Sequence, residues 1–557
     1  MVQQTPYHFI GLSYDGLHDS NVAYLTDKID YAALEERFSR EKKDGRPPRQ
    51  ALDYLLANFD IDPQRVRFAC PILPPARSEA EWQRPGVDRQ LMQYPERRDS
   101  QRFGLEYIRQ FAAEPVFVGH HDAHAASAYY TSGFGGKTLV LVIDAGNFFD
   151  PWCVSFYEGR DGRLRCLHQS PDSRIADGYA LVTAALGFRP LHHEGKITGL
   201  AAFGRYNPAL LEQLAPLLAD PELVYQITHW ENVGSREQPP RLVVNRHIER
   251  LSSLLDEFSR EDIAFAVQAL TEQKTLALLK NYAGQYDSIC LAGGLFANVA
   301  LNYKIKQLGF DQIFIHPAMG DDGLALGAAL WAKAEAEAGL LPVRLPNVYF
   351  GPRYGSADLP ALFNEYGLVF EEHAQIEPVI ARLLHAGKIV ARFAGRLEYG
   401  PRALGNRSIL YRADDASVNY WLNDKLNRTE FMPFAPAVCD YQAGELFKNL
   451  AGCEYAASFM TITLDCTETM KQRAPGAVHV DGTARPQIVS RGFNPSFYEI
   501  LDHYYRLTHG QSILINTSFN MHGEPIVLTP RDAIASFLRS GLDVLAIENF
   551  IVTSAPL

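Results

Sequence analysis

The chain is poor in cysteine. Seven residues, Cys70, Cys153, Cys166, Cys290, Cys439, Cys453 and Cys466, are scattered through 557 positions, and no two are separated by just two residues. Such a set makes neither a disulfide frame nor a zinc knuckle and reads as reduced core thiols of a cytoplasmic protein. Nowhere do about 18 apolar residues run together, and the N-terminus Met-Val-Gln-Gln-Thr-Pro-Tyr-His-Phe-Ile lacks both a basic start and a long apolar core. No membrane span and no export signal are expected. Positive charge is also in deficit: 53 Lys and Arg against 65 Asp and Glu leave a formal charge of -12. That balance argues against nucleic acid as a partner, because binding it usually needs a broad basic face. There is no tandem repeat and no low-complexity tract.

What is present is ordinary globular composition, 47% hydrophobic and 21% charged, in a chain long enough for two to four units at roughly 150 residues each. His8 to Leu25 sets two apolar runs on either side of an Asp-Gly turn, which predicts a strand, a tight turn and a returning strand. Strand signals recur at Thr138-Leu-Val-Leu-Val-Ile-Asp, Ser288-Ile-Cys-Leu-Ala-Gly-Gly and Gln312-Ile-Phe-Ile-His-Pro, and helical patterns follow the last two. Glu261 to Tyr282 has apolar residues three and four apart and predicts a core-packed helix. Strand, turn and helix in alternation predict an α/β architecture with ligands at the strand ends. The Pro-punctuated stretch from Ala338 to Ser356 reads as a packed connector, dividing the chain into 1–345 and 346–557. Beyond it, Lys388-Ile-Val-Ala-Arg-Phe and the run from Ser512 to Asn520 read as strands entering polar turns.

The segment Gly395-Arg-Leu-Glu-Tyr-Gly-Pro-Arg-Ala-Leu-Gly-Asn-Arg-Ser408 places Arg396, Arg402 and Arg407 among glycines. Between 388 and 428 eight basic residues face four acidic ones, a local charge of +4 that leaves -16 for the rest of the chain. Basic residues gathered in one turn-rich segment of an acidic protein suit a phosphorylated small molecule.

His120-His-Asp-Ala-His124 opens an alanine-rich segment. On a helix, His120 and His124 stand one turn apart on one face, the spacing at which two imidazoles can hold one metal ion. Asp144 at a strand end and Asp321 in Gly320-Asp-Asp-Gly323 would add oxygen ligands. His121 and Asp322 are the neighbouring alternatives, although the spacing favours His120. Two histidines with carboxylates suit Fe(II) or another divalent transition metal better than a closed structural zinc site. Gly293-Gly294 with Asn298, and the turn ending at Gly323, supply Gly-rich helix starts able to present N–H groups to phosphates. Lys196, in His193-Glu-Gly-Lys-Ile-Thr-Gly, stands beside glycines in the same manner.

Nine segments in order, His18-Asp-Ser, Glu35-Glu-Arg-Phe-Ser-Arg40, His120-His-x-x-His124-Ala, Glu194-Gly-Lys-x-x-Gly-Leu, Gly293-Gly-x-x-x-Asn298, Asp321-Asp-Gly, Glu398-Tyr-Gly-Pro-Arg-Ala-Leu-Gly-Asn-Arg-Ser, Asp481-Gly-Thr-Ala-Arg-Pro-Gln and Asn516-Thr-Ser-Phe-Asn, resemble the O-carbamoyltransferases typified by nodulation protein U and the cephalosporin and tobramycin carbamoyltransferases. The resemblance spans almost the whole chain. It implies an actin-like N-terminal part, similar to tRNA threonylcarbamoyl transferases, and a YrdC-like C-terminal part. The C-terminal part would convert carbamoyl phosphate and ATP, with Mg, to carbamoyl-adenylate. The N-terminal part would pass the carbamoyl group to a hydroxyl of a sugar, antibiotic or other secondary metabolite.

Carried over residue by residue, the resemblance makes His120, His124, Asp144 and Asp321 the iron ligands and His18 the base on the acceptor hydroxyl. Arg402, Arg407, Lys425, Arg428 and Arg485 would bind carbamoyl phosphate and the ATP phosphates. Asn516, Ser518, Asn520, Gly293, Gly294, Asn298 and Gly323 join the nucleotide-binding candidates, and Lys196 and Arg485 join His18 as catalytic ones. Phe148, Phe149 and Trp152 are candidates for the acceptor lining, and a homodimer is the assembly the resemblance suggests. A hydrogenase-maturation type of carbamoyltransferase would need the close cysteine pairs that are missing. A non-catalytic nucleotide-binding scaffold would be expected to lack the histidine pair or the arginines, and both are here.

Overall fold

The first sheet is built from three antiparallel strands followed by two parallel ones. In the computed structural model, which describes residues 7–14, 18–71, 115–145, 152–217, 230–231, 241–242, 251–337, 339–426, 433–511 and 513–555, β1 (His8–Ser13), β2 (Asn21–Leu25) and β3 (Ile29–Leu34) form a meander. β4 (Val66–Cys70) and β5 (Val116–Phe117) extend it in parallel, giving the order β3-β2-β1-β4-β5. Asp15, Gly16, Phe148, Phe149, Arg428 and Ser512 lie outside the described residues.

The second sheet repeats this plan. β6 (Thr138–Ile143), β7 (Val154–Arg160) and β8 (Arg163–Ser170) are the meander, and after a two-stranded ribbon of β9 (Trp230–Glu231) and β10 (Arg241–Leu242) come the parallel strands β11 (Ser288–Ala292) and β12 (Gln312–Ile315). Its order, β12-β11-β6-β7-β8, matches the first sheet strand for strand. The duplication is thus one of topology, invisible as a sequence repeat. It is the two-lobed, actin-like α/β arrangement expected for the N-terminal part.

The apolar runs of β6, β11 and β12 are continuous because both faces of these strands are covered. Leu139, Leu141, Ile143, Ile289, Leu291, Ile313 and Ile315 point to one core, while Val140, Val142, Cys290, Ala292 and Phe314 point to another, as a period of two requires. The second core lies between the sheets and holds two helices, His120–Ser132 after β5 and Leu324–Ala336 after β12. Their axes approach closely enough that a Cβ on Gly327 would fall 1.9 Å from the carbonyl oxygen of Ala123. The expected helix at 261–282 spans Arg260–Leu279, started by the Ser259 side chain accepting from the Asp262 N–H.

The third sheet is mixed and comes from the C-terminal part. β13 (Val369–Glu372), β14 (Val390–Phe393), β15 (Arg407–Arg412), β16 (Ala435–Cys439), β19 (Gln487–Val489), β20 (Leu514–Ser518), β21 (Val544–Ile547) and β22 (Phe550–Thr553) take the order β13-β22-β21-β14-β15-β20-β16-β19; β17 (Leu464–Asp465) and β18 (Thr483–Ala484) pair separately. Helices Glu377–His385 and Pro495–Leu507 cover one face through Ile380, Leu384, Phe497 and Ile500. The core on the other face, around Ala391, Phe393, Ile409 and Ile515, is continuous with Leu139 and Leu291 of the second sheet. The Pro-punctuated stretch is packed, with Leu345, Val348 and Phe350 buried. No helix among the described residues is long and apolar enough to cross a membrane.

The helix approach is testable. Gly327→Ala should lower stability by about 1–3 kcal/mol, since the added carbon meets backbone that cannot swing away. Gly135→Ala, where nothing lies within 4 Å, should be near neutral. Equal thermal midpoints for the two variants would show that the helices do not meet so closely.

Candidate active site

The first turn of helix His120–Ser132 presents both expected imidazoles to the ends of the second sheet. Their ring centroids are 4.8 Å apart. His124 Nε2 lies 2.9 Å from Asp144 Oδ2 and 3.4 Å from Asp321 Oδ1, and His120 Nε2 lies 3.4 Å from Asp321 Oδ1 and 3.8 Å from Asp144 Oδ2. One ligand atom from each of the four residues falls within 4.8 Å of all the others. Asp144 follows β6 directly; its Oδ2 also accepts the Gly294 N–H at 3.1 Å. Asp321 is held by Asn21 of β2, whose Nδ2 donates to the Asp321 carbonyl at 2.8 Å and whose Oδ1 accepts the Ala325 N–H at 3.0 Å.

The electrostatics of this cluster favour added positive charge. Burial works against protonating His120, but Asp321 and Asp144 outweigh it and hold the imidazole well above the usual histidine range; His124 is raised too, again against burial, by Asp144 and Asp321. Asp144 and Asp321 are pulled below the usual carboxylate range, burial notwithstanding, by these histidines. His124 Nε2 is buried and makes no aligned hydrogen bond even though Asp144 is so near. The four side chains thus gather their nitrogen and oxygen atoms in one small volume. This donor set fits a divalent cation, with two imidazole nitrogens and hard oxygens and no thiolate. The neighbouring alternatives fall elsewhere. His121 Nδ1 pairs with Ser155 Oγ at 2.7 Å and burial pushes its pKa down to about 3, while Asp322, raised to about 7 by burial and by Asp19, stands toward Asp19 and Lys43.

His18 reaches the same place from the other sheet. Its Nδ1 is 3.1 Å from Asp19 Oδ2 and 3.9 Å from Asp321 Oδ2. Asp19 in turn accepts from Lys43 Nζ at 2.6 Å; burial opposes its charge, yet Lys43 and His18 hold it at about 2. Lys43 was not legible as a site residue, since it arrives from 24 positions away with nothing in its local sequence to mark it. Helix Glu194–Ala201 begins nearby: burial raises Glu194, and Lys43 and His18 are close enough to draw it back down. Lys196 is buried on that helix, its ammonium 6.0 Å from the Phe188 ring centroid.

Several of the residues expected at phosphates have partners inside the protein. The Gly294 N–H belongs to Asp144. Asn298 caps helix Val299–Lys306 by accepting the Leu301 N–H at 3.1 Å, and its Nδ2 donates to Gln268 at 2.7 Å. Gly293 adopts φ 102°, with Ile143 O only 2.2 Å from where a Cβ would stand, and Gly323 meets Ala318 O at 2.0 Å in the same sense; both serve close backbone approach.

The arginine-rich loop also has internal partners. Arg407 is wholly buried; Nη1 donates to the carbonyls of Ala394 at 2.7 Å and Asn406 at 3.2 Å, Nη2 to Gly395 at 3.1 Å, and the guanidinium lies 3.5 Å from the Phe393 ring centroid. Burial lowers its pKa to about 10. One oxygen of Glu398 gathers the N–H groups of Leu404, Asn406 and Arg407 at 2.9, 2.7 and 2.9 Å. The loop is thus folded around its own charges. Arg396 donates to the carbonyls of Gly351, Asp30 and Phe350, and Asn520 to those of Met521 and Glu524. Asn516 Nδ2 is taken by Gln487 at 2.6 Å. Arg402, Lys425, Arg485 and Ser518 are half-buried and retain surface, as does Trp152. The run Glu35-Glu-Arg-Phe-Ser-Arg40 has a structural use that the sequence did not disclose: Arg37 donates to Gly400 O at 3.0 Å, and Arg40 to Ile526 O at 2.6 Å and Pro525 O at 2.8 Å.

Comparison with known proteins agrees with this architecture. The family model described as Carbamoyltransferase N-terminus matches residues 8–330, and that described as Carbamoyltransferase C-terminus matches residues 381–554. The chain is similar to nodulation protein NolNO of Sinorhizobium fredii, 30% identical over 96% of this chain and 79% of that protein, and to nodulation protein NolO of Bradyrhizobium diazoefficiens, 33% identical over 79% of each. An uncharacterised protein of Methanocaldococcus jannaschii is 29% identical over 97% of this chain and 98% of its own length. Among solved structures, the activator of 2-hydroxyisocaproyl-CoA dehydratase from Clostridium difficile gives a distant likeness, with 13% identity and a TM-score of 0.35 over 59% of this chain and 95% of that one. The chain belongs to the carbamoyltransferase family and is an enzyme of carbamoyl transfer.

Proposed function

We propose that this carbamoyltransferase is ATP-dependent and acts on a hydroxyl of a sugar, antibiotic or other secondary metabolite. The observation that carries the reading is the convergence of His120, His124, Asp144 and Asp321 with His18 3.9 Å from Asp321 in a chain of this family. In the first half-reaction water takes the phosphoryl group from carbamoyl phosphate, and a carboxylate oxygen of the resulting carbamate attacks the α-phosphorus of ATP as pyrophosphate leaves. Arg402, Lys425 and Arg485 of residues 346–557, each half-buried, would meet these polyanions, and such charges offset repulsion between them.

In the second half-reaction the acceptor oxygen attacks the carbamoyl carbon, and AMP leaves. Residues 1–345 perform this step. Asp19 accepts from His18 Nδ1, which orients the imidazole for its role as base on the acceptor hydroxyl. Asp19 stays ionised beside Lys43, so it stabilises the imidazolium that forms. A divalent cation held by His120, His124, Asp144 and Asp321, Fe(II) or a similar ion, would supply Lewis acidity toward the carbamoyl or phosphate oxygens. Because the mixed anhydride hydrolyses readily, its passage between the parts needs shelter from water. The docking of Arg37 and Arg40 on the C-terminal part supports such a closed arrangement.

Incubation with ATP, magnesium and carbamoyl phosphate, without acceptor, should yield carbamoyl-adenylate, or AMP and pyrophosphate, by mass spectrometry. ADP alone, or unchanged ATP, would refute the adenylate route. His18→Asn should leave pyrophosphate release intact while slowing carbamoyl transfer roughly 10²–10⁴-fold; equal losses in both steps would remove His18 from its role as base. Asp144→Asn should lose the metal ion that the wild type retains through desalting, as read by elemental analysis, and undiminished metal would place the ion elsewhere.

A further inference from the structure

Arg174 is more than nine-tenths buried, yet its Nε and Nη1 meet no hydrogen-bond acceptor. Among the described residues no other arginine has two buried nitrogens in this condition. The buried Asp177 forms a long ion pair with it, 4.0 Å from Nη1, which counters the charge without giving either nitrogen a hydrogen bond. A guanidinium cannot shed its proton to escape the cost of burial. Buried donors left unsatisfied in this way cost stability, and an anionic ligand that accepts from them would offset that cost.

Its place in the fold says which anion. Arg174 stands at the start of the 11-residue helix Ile175–Ala185, where the N–H groups of the first turn add partial positive charge. The chain enters from β8, whose last residue Ser170 accepts the Cys153 N–H at 2.9 Å; the Cys153 carbonyl accepts the Asp144 N–H at 3.1 Å. Cys153 Sγ lies 4.0 Å from Asp177 Oδ2, so two short contacts lead from Asp144 to the carboxylate beside Arg174. The helix also packs on the turn Gly294–Ala297, whose first N–H holds Asp144. Arg174 therefore belongs to the end of the second sheet that carries the cluster.

We propose that Arg174 is an anion-binding residue of the transfer site and receives the phosphate of the adenylate. The assignment rests on the two-step reading above. It places the leaving group's charge against a guanidinium that makes no competing hydrogen bond through these two nitrogens, in a site where water is largely displaced.

Calorimetric titration of wild type and Arg174→Gln with AMP, adenosine and inorganic phosphate tests this. Wild type should bind AMP more tightly than adenosine. In Arg174→Gln the affinity for AMP should fall roughly 10–100-fold, toward that of adenosine, which should be unchanged, in keeping with a charge-assisted hydrogen bond. Metal content should stay the same, and Arg174→Met should weaken AMP binding likewise. Unchanged AMP affinity would overturn the proposal, as would a fall in the thermal midpoint with AMP and adenosine weakened equally, which would make Arg174 structural. Loss of inorganic phosphate binding with AMP unaffected would assign a free-phosphate site instead and also overturn it. Acceptor-free product analysis of the wild type, run in parallel, reports separately on the adenylate reading.

Discussion

The site depends on the close approach of helices His120–Ser132 and Leu324–Ala336 between the first two sheets. Neither helix carries the whole cluster. One supplies two imidazoles and the other follows the turn that supplies Asp321, so the separation of the axes sets the separation of the ligands. Small residues permit it: Ala123, Ala125, Ala126, Ala128, Ala325, Ala328 and Ala329 are fully buried here, and Gly327 meets the Ala123 carbonyl directly. An alanine-rich interface contributes less hydrophobic burial than a leucine-rich one would, which is the cost of bringing two backbones together. The surrounding aliphatic strands make up that deficit.

A second constraint follows from charge. Cations gathered in an acidic chain suggest ligand binding, but in the arginine-rich loop the main chain itself is the acceptor. Arg396, Arg407, Arg37 and Arg40 together tie the first sheet's β3 end and the helix after it to loop carbonyls of the connector and the C-terminal part. Arginine suits this task, since several donors in a rigid fork can bind carbonyls that no N–H reaches. Buried polar groups satisfied in this manner specify one arrangement of the loop.

Much of this was legible in the sequence because it follows local periodicity. The strands at 138, 288 and 312 and the helix at 260 declare themselves through patterns of two and of three to four, and the i, i+4 histidines need only a helix to converge. Asp144 and Asp321 were readable because strand ends and Gly-flanked turns are where such carboxylates gather. Residues joined only through space were not. Lys43 acts on Asp19, Asn21 on the Asp321 turn and Arg37 on Gly400, 363 positions away, and no short pattern encodes such pairings. The duplicated topology was hidden for a related reason: strand order is set by which buried faces meet, and many apolar sequences satisfy the same face. Where glycine and arginine stand together, composition cannot tell a loop that holds phosphate from one that holds itself.

The duplication gives the cluster its logic. In the first half, the turn after β1 carries His18 and Asp19, and the helix after β5 opens with His120. In the second half, the turn after β6 carries Asp144, and the helix after β12 is preceded by Asp321. These are equivalent points on two copies of one topology, and the paired sheets bring all of them to one spot. Equivalent position has not meant equivalent chemistry. The helix start of the first half supplies imidazole nitrogen and that of the second supplies carboxylate, while the meander turns supply an imidazole on one side and a carboxylate on the other. A site made from two such halves acquires mixed donors without any single element carrying them all, and each half places its charge opposite the other's counter-charge. Any motion of the two halves relative to each other would therefore change distances within the cluster and between His18 and Asp321 together, so the order of the interhelical core and the geometry of the site are one property.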